Sequence, residues 1–466
     1  TGNVYVKVDG TGVFLVTVTY GTDPVEDPDP GGHYPMNCST AEINFNLEYN
    51  SSFTLSNTGY YDQNWHIDNI PAWLHISATS GTLKPGQSIV ILCNVLREGL
   101  APGTYSQIIQ LESDNPQLSH GILVSILVAE QGPPVNSATQ KWIQGTVTDA
   151  YYSKVTDVLY ILTKSPNNLL VKTSQNDSLM AYQLDRVPKC IDVTADGKTI
   201  AIGYNQAYVD LINAETLQRI KLYETDCVPF DIVFGENDWC YLAPDEDQWV
   251  YFYSLNLTTG VTFRNSTQYR FYEKSVLKKM PGKPLIYSTC QGSMPSGLQI
   301  INIVDGAAKD TIPQWHEEAG SNIWFTEDGT KIIAGDKEVH KTPAYTTELL
   351  IHDLPEIARI DIPSGYLQSL DYNSKLHCFF AVGTDNWLTT VNSESIYQVN
   401  EISYASEKMV KATPYPGIFV NVYHAGMNVH YVFSNNAGTQ LMAVKNTYFD
   451  ENNSVWALEL FDLPLQ

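Results

Sequence analysis

Four short apolar-rich runs, parted by polar turns, fill residues 191–222, IDVTADGKTIAIGYNQAYVDLINAETLQRIKL, and the pattern recurs from 147 to 463. The turn after the first run of each unit falls near Ser153, Gly197, Asp238, Gly282, Gly329, Ser374 and Gly426, at spacings of 44, 41, 44, 47, 45 and 52 residues. Asp238 takes its place when CVPFDIVFGEND is set on RVPKCIDVTADG, so that Pro229 matches Pro188. A lone four-stranded unit leaves two apolar faces open, and stacking units around an axis covers both. A repeat of roughly 40–50 residues with four strands per unit therefore predicts a β-propeller, here of seven blades. KCIDV, TIAIGY, AYVDLINA and QRIKLYE run from the inner to the outer strand of the second blade. NIWFTEDGTKIIAG repeats that blade closely in the fifth, and LQSLDYNSKLHCFFAVG repeats it loosely in the sixth. SVWALELFDLP is expected as the outer strand of the last blade, with TQKWIQGTV an extra strand at the junction.

The N-terminal part is also all strands. VYVKVDGTGVFLVTVTY reads as a hairpin around Asp9-Gly10-Thr11-Gly12, and TDPVEDPDPGGHYP as a linker rich in Pro, Asp and Gly. A second break, AEQGPPVNSATQ, starts at 129. Between the breaks, SSFTLSNTG, NWHIDNI, LHISATSG, SIVILCNVL, TYSQIIQLES and GILVSILVAE are short strands spaced by Gly, Pro, Asn and Ser, as in a sandwich. The domains read as hairpin 1–21, linker 22–36, sandwich 37–130, linker 131–141 and propeller 142–466. Trp65 and Trp73 lie in alternating strands and are expected in the core rather than on a ligand platform.

The sandwich segment resembles the BACON family, an immunoglobulin-like module common in exported Bacteroidetes proteins. The likeness rests on NWHIDNIPAWLHISATSGTLKPGQ and LAPGTYSQIIQLESDN, through Trp65, Pro71, Trp73, Leu74, Ser80, Gly81, Pro85, Gly86, Gly103, Tyr105 and Ser113. It implies an immunoglobulin-like sandwich, a link to carbohydrate binding and a Bacteroidetes origin. It also implies an extracellular or periplasmic place, as on a surface lipoprotein, anchored by a segment outside this chain. The propeller half is similar to the YVTN/lactonase-like propellers, mainly through VTADGKTIAIGYNQAYVDLINAETLQ. That likeness implies a fold more than an activity.

Charge narrows the partners. The formal net charge is −24, from 27 Lys and Arg against 51 Asp and Glu. Nucleic acid and anionic lipid both require a basic footprint, so neither is expected. No run is long and apolar enough for a membrane span, and TGNVYVKV at the start is strand-like rather than a signal peptide. Seven dispersed cysteines form no C-x-x-C pair; a disulfide such as Cys190–Cys227 is neither required nor excluded.

Propeller ligands sit over the channel, among the loops joining second to third strands and the loops joining blades. Those loops hold Tyr204, Asp245, Asp247, Trp249, Tyr269, Arg270, Trp315, His316, His340, Tyr345, Asp385, Asn386, Trp387 and Tyr415. Aromatic rings flanked by Asp and Asn suit sugars, whose apolar face stacks on a ring and whose hydroxyls need fixed polar partners. Catalytic patterns fail: G-x-S-x-G and H-E-x-x-H are absent, and FTEDGTK lacks the Ser and Trp of a sialidase Asp-box. DEDQ at 245–248 is a weak calcium candidate without the D-x-[DN]-x-[DN]-G spacing, and no other cofactor or metal is expected. The expected function is non-catalytic binding or adhesion at a cell surface, with a glycan or glycoprotein as partner. Two readings stay open beside it: an enzyme (lactonase-like hydrolase, glycan lyase or glycan hydrolase), and a scaffold that binds another protein.

Overall fold

The computed structural model describes every residue except 1, 9–11, 19–35, 46–47, 102, 115–118, 129–135, 175, 177, 237, 247–249, 266–273, 291–297, 309–310, 314–318, 343–354, 387–392, 414–425, 449–453 and 466. Among the described residues all regular structure is β, with no helix. Gly2–Val8 pairs with Gly12–Val18 as a separate two-stranded antiparallel sheet.

Residues 36–128 build two sheets that share one core. One holds Glu42–Asn44, His120–Val128, Gly103–Ser113, Gln63–Asp68 and Ser80–Leu83, in that order. The other holds Met36–Cys38, Asn50–Asn57, Ser88–Val95 and Leu74–Ile76. Strict alternation decides which side chains enter. In Gln63–Asp68, Gln63, Trp65 and Ile67 are buried while Asn64, His66 and Asp68 face water. Trp65 is 2% exposed in the core, as its sequence context predicts, and Trp73 packs half-buried against the same cluster. Gly81 has a steric reason: a Cβ there would lie 3.0 Å from the Trp65 ring. LHISATSG, read as one strand, is in fact two. Leu74–Ile76 pairs with Ser88–Val95, and Ser80–Leu83 crosses to pair with Gln63–Asp68. Met36–Cys38 and Glu42–Asn44, each three residues long, have too little pattern to be read in the sequence.

From Gln140 to Asp462 the described residues form seven four-stranded antiparallel sheets. Sheets one to six run consecutively: Thr146–Gln183, Pro188–Glu224, Pro229–Arg264, Ser275–Pro313, Ile323–Arg359 and Tyr366–Lys411. Sheet seven joins Gly426–Ser434, Gln440–Tyr448 and Ser454–Asp462 to Gln140–Ile143. Each pair of neighbours shares one apolar cluster. Ile191 and Ile202 pack with Leu162 between sheets one and two, and Phe379 and Ala381 pack with Ile333 between five and six. The last cluster sets Met442, Val444 and Leu458 of sheet seven against Leu159 and Ile161 of sheet one. Each fully buried Leu, Ile, Val or Phe contributes about 1.5–3 kcal/mol, so these interfaces dominate the stability of the ring.

The turn after the first strand is where the repeat was most legible. Gly197, Gly282 and Gly329 sit there with φ of 72°, 67° and 66°, and Asp238 takes the same place at 61°. In sheets two and five the turn has the same chemistry: the Thr194 and Thr326 hydroxyls donate to Asp196 and Asp328, and the glycine N–H returns to the threonine carbonyl. The seventh anchor is corrected. Gly426 begins the first strand of sheet seven, and the turn glycine is Gly438, φ 67°. The outer strand is corrected too: Ser454–Asp462 is the third strand, and Gln140–Ile143, from the other end of the ring, lies outside it. All seven cysteines are free thiols, six of them buried, so Cys190 and Cys227 are core side chains.

Candidate functional site

Three places in the fold gather polar side chains that the packing alone does not require. The first is the axis of the ring. In five of the first strands the pairing slips by one residue, at Thr148, Lys189, Phe230, Gln368 and His430. These bulges re-aim the side chains that follow. Asp149 accepts the Ala150 amide at 2.8 Å and the Ile191 amide of the next sheet at 2.9 Å. Asp231 accepts Ile232 at 2.8 Å and Leu277 of its next sheet at 2.7 Å. Ser369 accepts Val432 at 3.0 Å from the equivalent place. Two residues further on, Asp192 accepts Phe234 at 2.6 Å and Asp371 accepts Ser434 at 2.9 Å. Two tiers of side chains thus pin sheet to sheet.

Asp231 acts on both Asp149 and Asp192, Lys278 acts on all three, and Tyr431 hydrogen-bonds Asp149. Burial pushes the Asp149 carboxyl up to about 7, with the Asp231 charge adding to the shift and the amide bonds and Lys278 opposing it. Burial raises Asp192 to about 7 and raises Asp231 as well, again against amide bonds and Lys278. Convergent carboxyls with raised pKa values mark catalytic sites as readily as structural ones. Here both oxygens of Asp149 and of Asp231 are engaged by main-chain amides, and the positions are mid-strand rather than at the channel mouth.

The second place is the seam between the sandwich and the loop face. Lys164 reaches Glu42 at 2.9 Å, and Ser165 donates to the Glu42 carbonyl. Asn167 donates to the Ser39 carbonyl at 3.1 Å, Gln206 to Asn37 at 3.3 Å, and Gln144 to the Asn50 carbonyl at 3.4 Å. Residues 165–167 and 205–207 join second to third strands in sheets one and two. The sandwich therefore covers the sector of the loop face expected to be open there, a contact with no local sequence signal. The third place is the outer face of the five-stranded sheet. There His66 Nε2 lies 3.2 Å from Asp68 and 3.5 Å from Glu112, all exposed, an arrangement able to hold a divalent cation.

Of the expected ligand residues, five are described. Tyr204 is fully buried at the interface of sheets one and two, where its hydroxyl donates to Asp210 at 2.8 Å; it is not a loop-face ring. His340 is a buried residue within the strand Glu338–Lys341, 3.3 Å from Glu338, and not in a loop. The turn before that strand is shorter than the sequence suggests, which moves the histidine inward. Asp245 follows the second strand of sheet three and ion-pairs with Lys189. Asp385 and Asn386 are exposed just after the second strand of sheet six. There Thr384 donates to the Asn386 carbonyl at 3.1 Å. Asp247, Trp249, Tyr269, Arg270, Trp315, His316, Tyr345, Trp387 and Tyr415 lie outside the described residues, as does the second half of the calcium candidate DEDQ.

Sheets of this form arrayed in sequence around an axis define a β-propeller, joined here to a small β-domain. Residues 36–121 match the family described as viral BACON domain. The β-propeller domain of Myceliophteria thermophila Cps50 (Swd1) superposes with a TM-score of 0.50 at 11% identity, covering 71% of this chain and 99% of that one. At that identity the likeness shows the fold alone. No curated protein matches the sequence. No helix among the described residues is long and apolar enough to cross a membrane.

Proposed function

We propose that this chain is a non-catalytic binding protein whose seven-bladed propeller presents the rest of its loop face to a glycan or glycoprotein. An immunoglobulin-like BACON module sits over the loops of the first two blades. The observation that carries the reading is this docking. It leaves Asp385 and Asn386 exposed on the far sector while Tyr204 is withdrawn into the core. On the outside of a particle or cell such a face would meet host or neighbouring glycans. A lactonase-like hydrolase is the second reading. The axial carboxyls Asp149, Asp192 and Asp231 favour it, and their bonds to main-chain amides count against it.

A glycan array probed with the whole chain and with Trp249→Ala and Trp387→Ala tests the proposal. Binding that drops at least about tenfold in either variant, the loss of one stacked ring worth roughly 1.5 kcal/mol, is the expected result. Binding indifferent to both variants removes the loop face from the reading. An array silent for the wild type moves the weight to a protein partner.

A further inference from the structure

The seam between the two domains holds a half-open cavity of about 290 Å³. Its polar lining comes from both sides: Asn37, Ser119 and His120 from the sandwich, and Arg186, Asn205 and Gln206 from the propeller. Apolar surface from Met36, Leu111 and Val187 completes it. The volume sits near the lower bound for a small-molecule site, roughly 300 Å³, and the mixture of apolar wall and a few placed polar groups is that of one.

Arg186 sets the chemistry. Its guanidinium lies over the Tyr208 ring at 4.5 Å, and Nη1 pairs with Asp185 at 3.0 Å. These two contacts hold the group in place. The side chain stays 19% exposed, and the residue lines the cavity. A guanidinium presents flat pairs of donors that match a carboxylate. Around it, the side-chain amides of Asn37, Asn205 and Gln206 and the Ser119 hydroxyl both donate and accept, as sugar hydroxyls require. Gln206 already bridges the seam to Asn37, so the cavity wall is fixed by the docking itself.

We propose that this cavity binds one carboxylated sugar, a uronic or sialic acid, free or as the terminal residue of a glycan. Its carboxylate would lie on Arg186 and its hydroxyls on the amides. In a chain of net charge −24, a site for an anion needs a fixed cation, and Arg186, held by Tyr208 and Asp185, places one at this seam. The inference stands on the cavity and is separate from the loop-face reading.

The test is a titration of the full chain with glucuronic acid and with N-acetylneuraminic acid, followed by saturation-transfer NMR and by the shift in melting temperature. Glucose, galactose, acetate and inorganic phosphate run alongside. Saturable millimolar binding of at least one acid sugar, tighter than that of any neutral sugar or small anion, is the expected result. Arg186→Gln should weaken it at least tenfold, and Arg186→Lys should not restore it. Ser119→Trp, which fills the cavity from the other domain, should abolish it even if the arginine variants fold poorly. No binding of either acid sugar overturns the proposal, and so does equal binding of galactose or phosphate. Acid-sugar binding that survives both Arg186→Gln and Ser119→Trp but fails in Trp387→Ala also overturns it, by placing the ligand on the loop face.

Discussion

Asp210 shows how one side chain can be mistaken for function. It is 1% exposed, accepts the Tyr204 hydroxyl at 2.8 Å, and takes Arg219 on both oxygens at 2.7 and 2.8 Å from Nε. A tyrosine ending a strand beside YNQA reads as a ligand ring, because sequence shows the loop and not the buried carboxylate six residues on. Tyr204→Phe should cost about 1.5–3 kcal/mol, the range for a hydrogen bond to a charged group. It should leave glycan binding as it is. Urea unfolding followed by tryptophan fluorescence measures the first, and the glycan array the second. His340 escaped for a related reason: the strand Glu338–Lys341 lies inside a segment that reads as loop, so the boundary is off by several residues and the side chain is in the core. Trp65, by contrast, was legible. A Trp in strict alternation beside other inward residues has one good place to go.

At the scale of the element, sheet seven depends on a buried polar knot. Lys445, fully buried, pairs with Glu459 at 2.7 Å and donates to Gln140 at 3.3 Å and to the Thr413 carbonyl. Glu459 also accepts the Thr413 hydroxyl at 2.6 Å. The knot joins the outermost strand, Gln140–Ile143, to the two strands beside it and to the chain entering from sheet six. Removing one partner of a buried pair leaves the other charge uncompensated, so Lys445→Met should cost about 3–5 kcal/mol. Lys445→Met with Glu459→Leu should recover much of that, and chemical denaturation of the two variants reads the difference. Nothing in TQKWIQGTV announces this strand's partner, because pairing across more than three hundred residues leaves no local periodicity. The strands of sheet two were readable for the opposite reason: every turn there is short and carries its own Asp, Asn or Gly.

For the whole molecule, the axial carboxyls predict how stability follows pH. Asp149 and Asp192 titrate near 7 in the fold, against 3.8 unfolded. Between those values the folded chain holds protons that the unfolded chain has released, so stability falls as pH rises from about 4 through about 7 and levels off above. Asp336, raised by burial to about 6, acts in the same direction. His430 opposes them. Burial lowers its imidazole to about 4, against its bond to Asn446, so it favours unfolding as pH falls below the ordinary histidine value of 6.5. The acids outnumber it, and the melting temperature should be higher at pH 5 than at pH 8. A scan across that range checks this, and Asp149→Asn with Asp192→Asn should flatten the slope. The propeller class was legible from its period, while the covered sector of the loop face was not. Which loops a neighbouring domain hides is settled by contacts such as Asn167 to Ser39, and neither residue is unusual in its own segment.

The order of synthesis gives the last strand pairing a further meaning. A ribosome makes Gln140–Ile143 before any other strand of the ring, yet its partner, Ser454–Asp462, emerges after all the others. Through that interval sheet one carries an apolar flank with nothing to lean on, and the early strand waits with its edge unpaired. The ring is thus latched by its oldest and youngest segments together. A nascent chain stalled short of residue 454 would be held open at one joint, a target for chaperones and proteases that a finished chain does not offer.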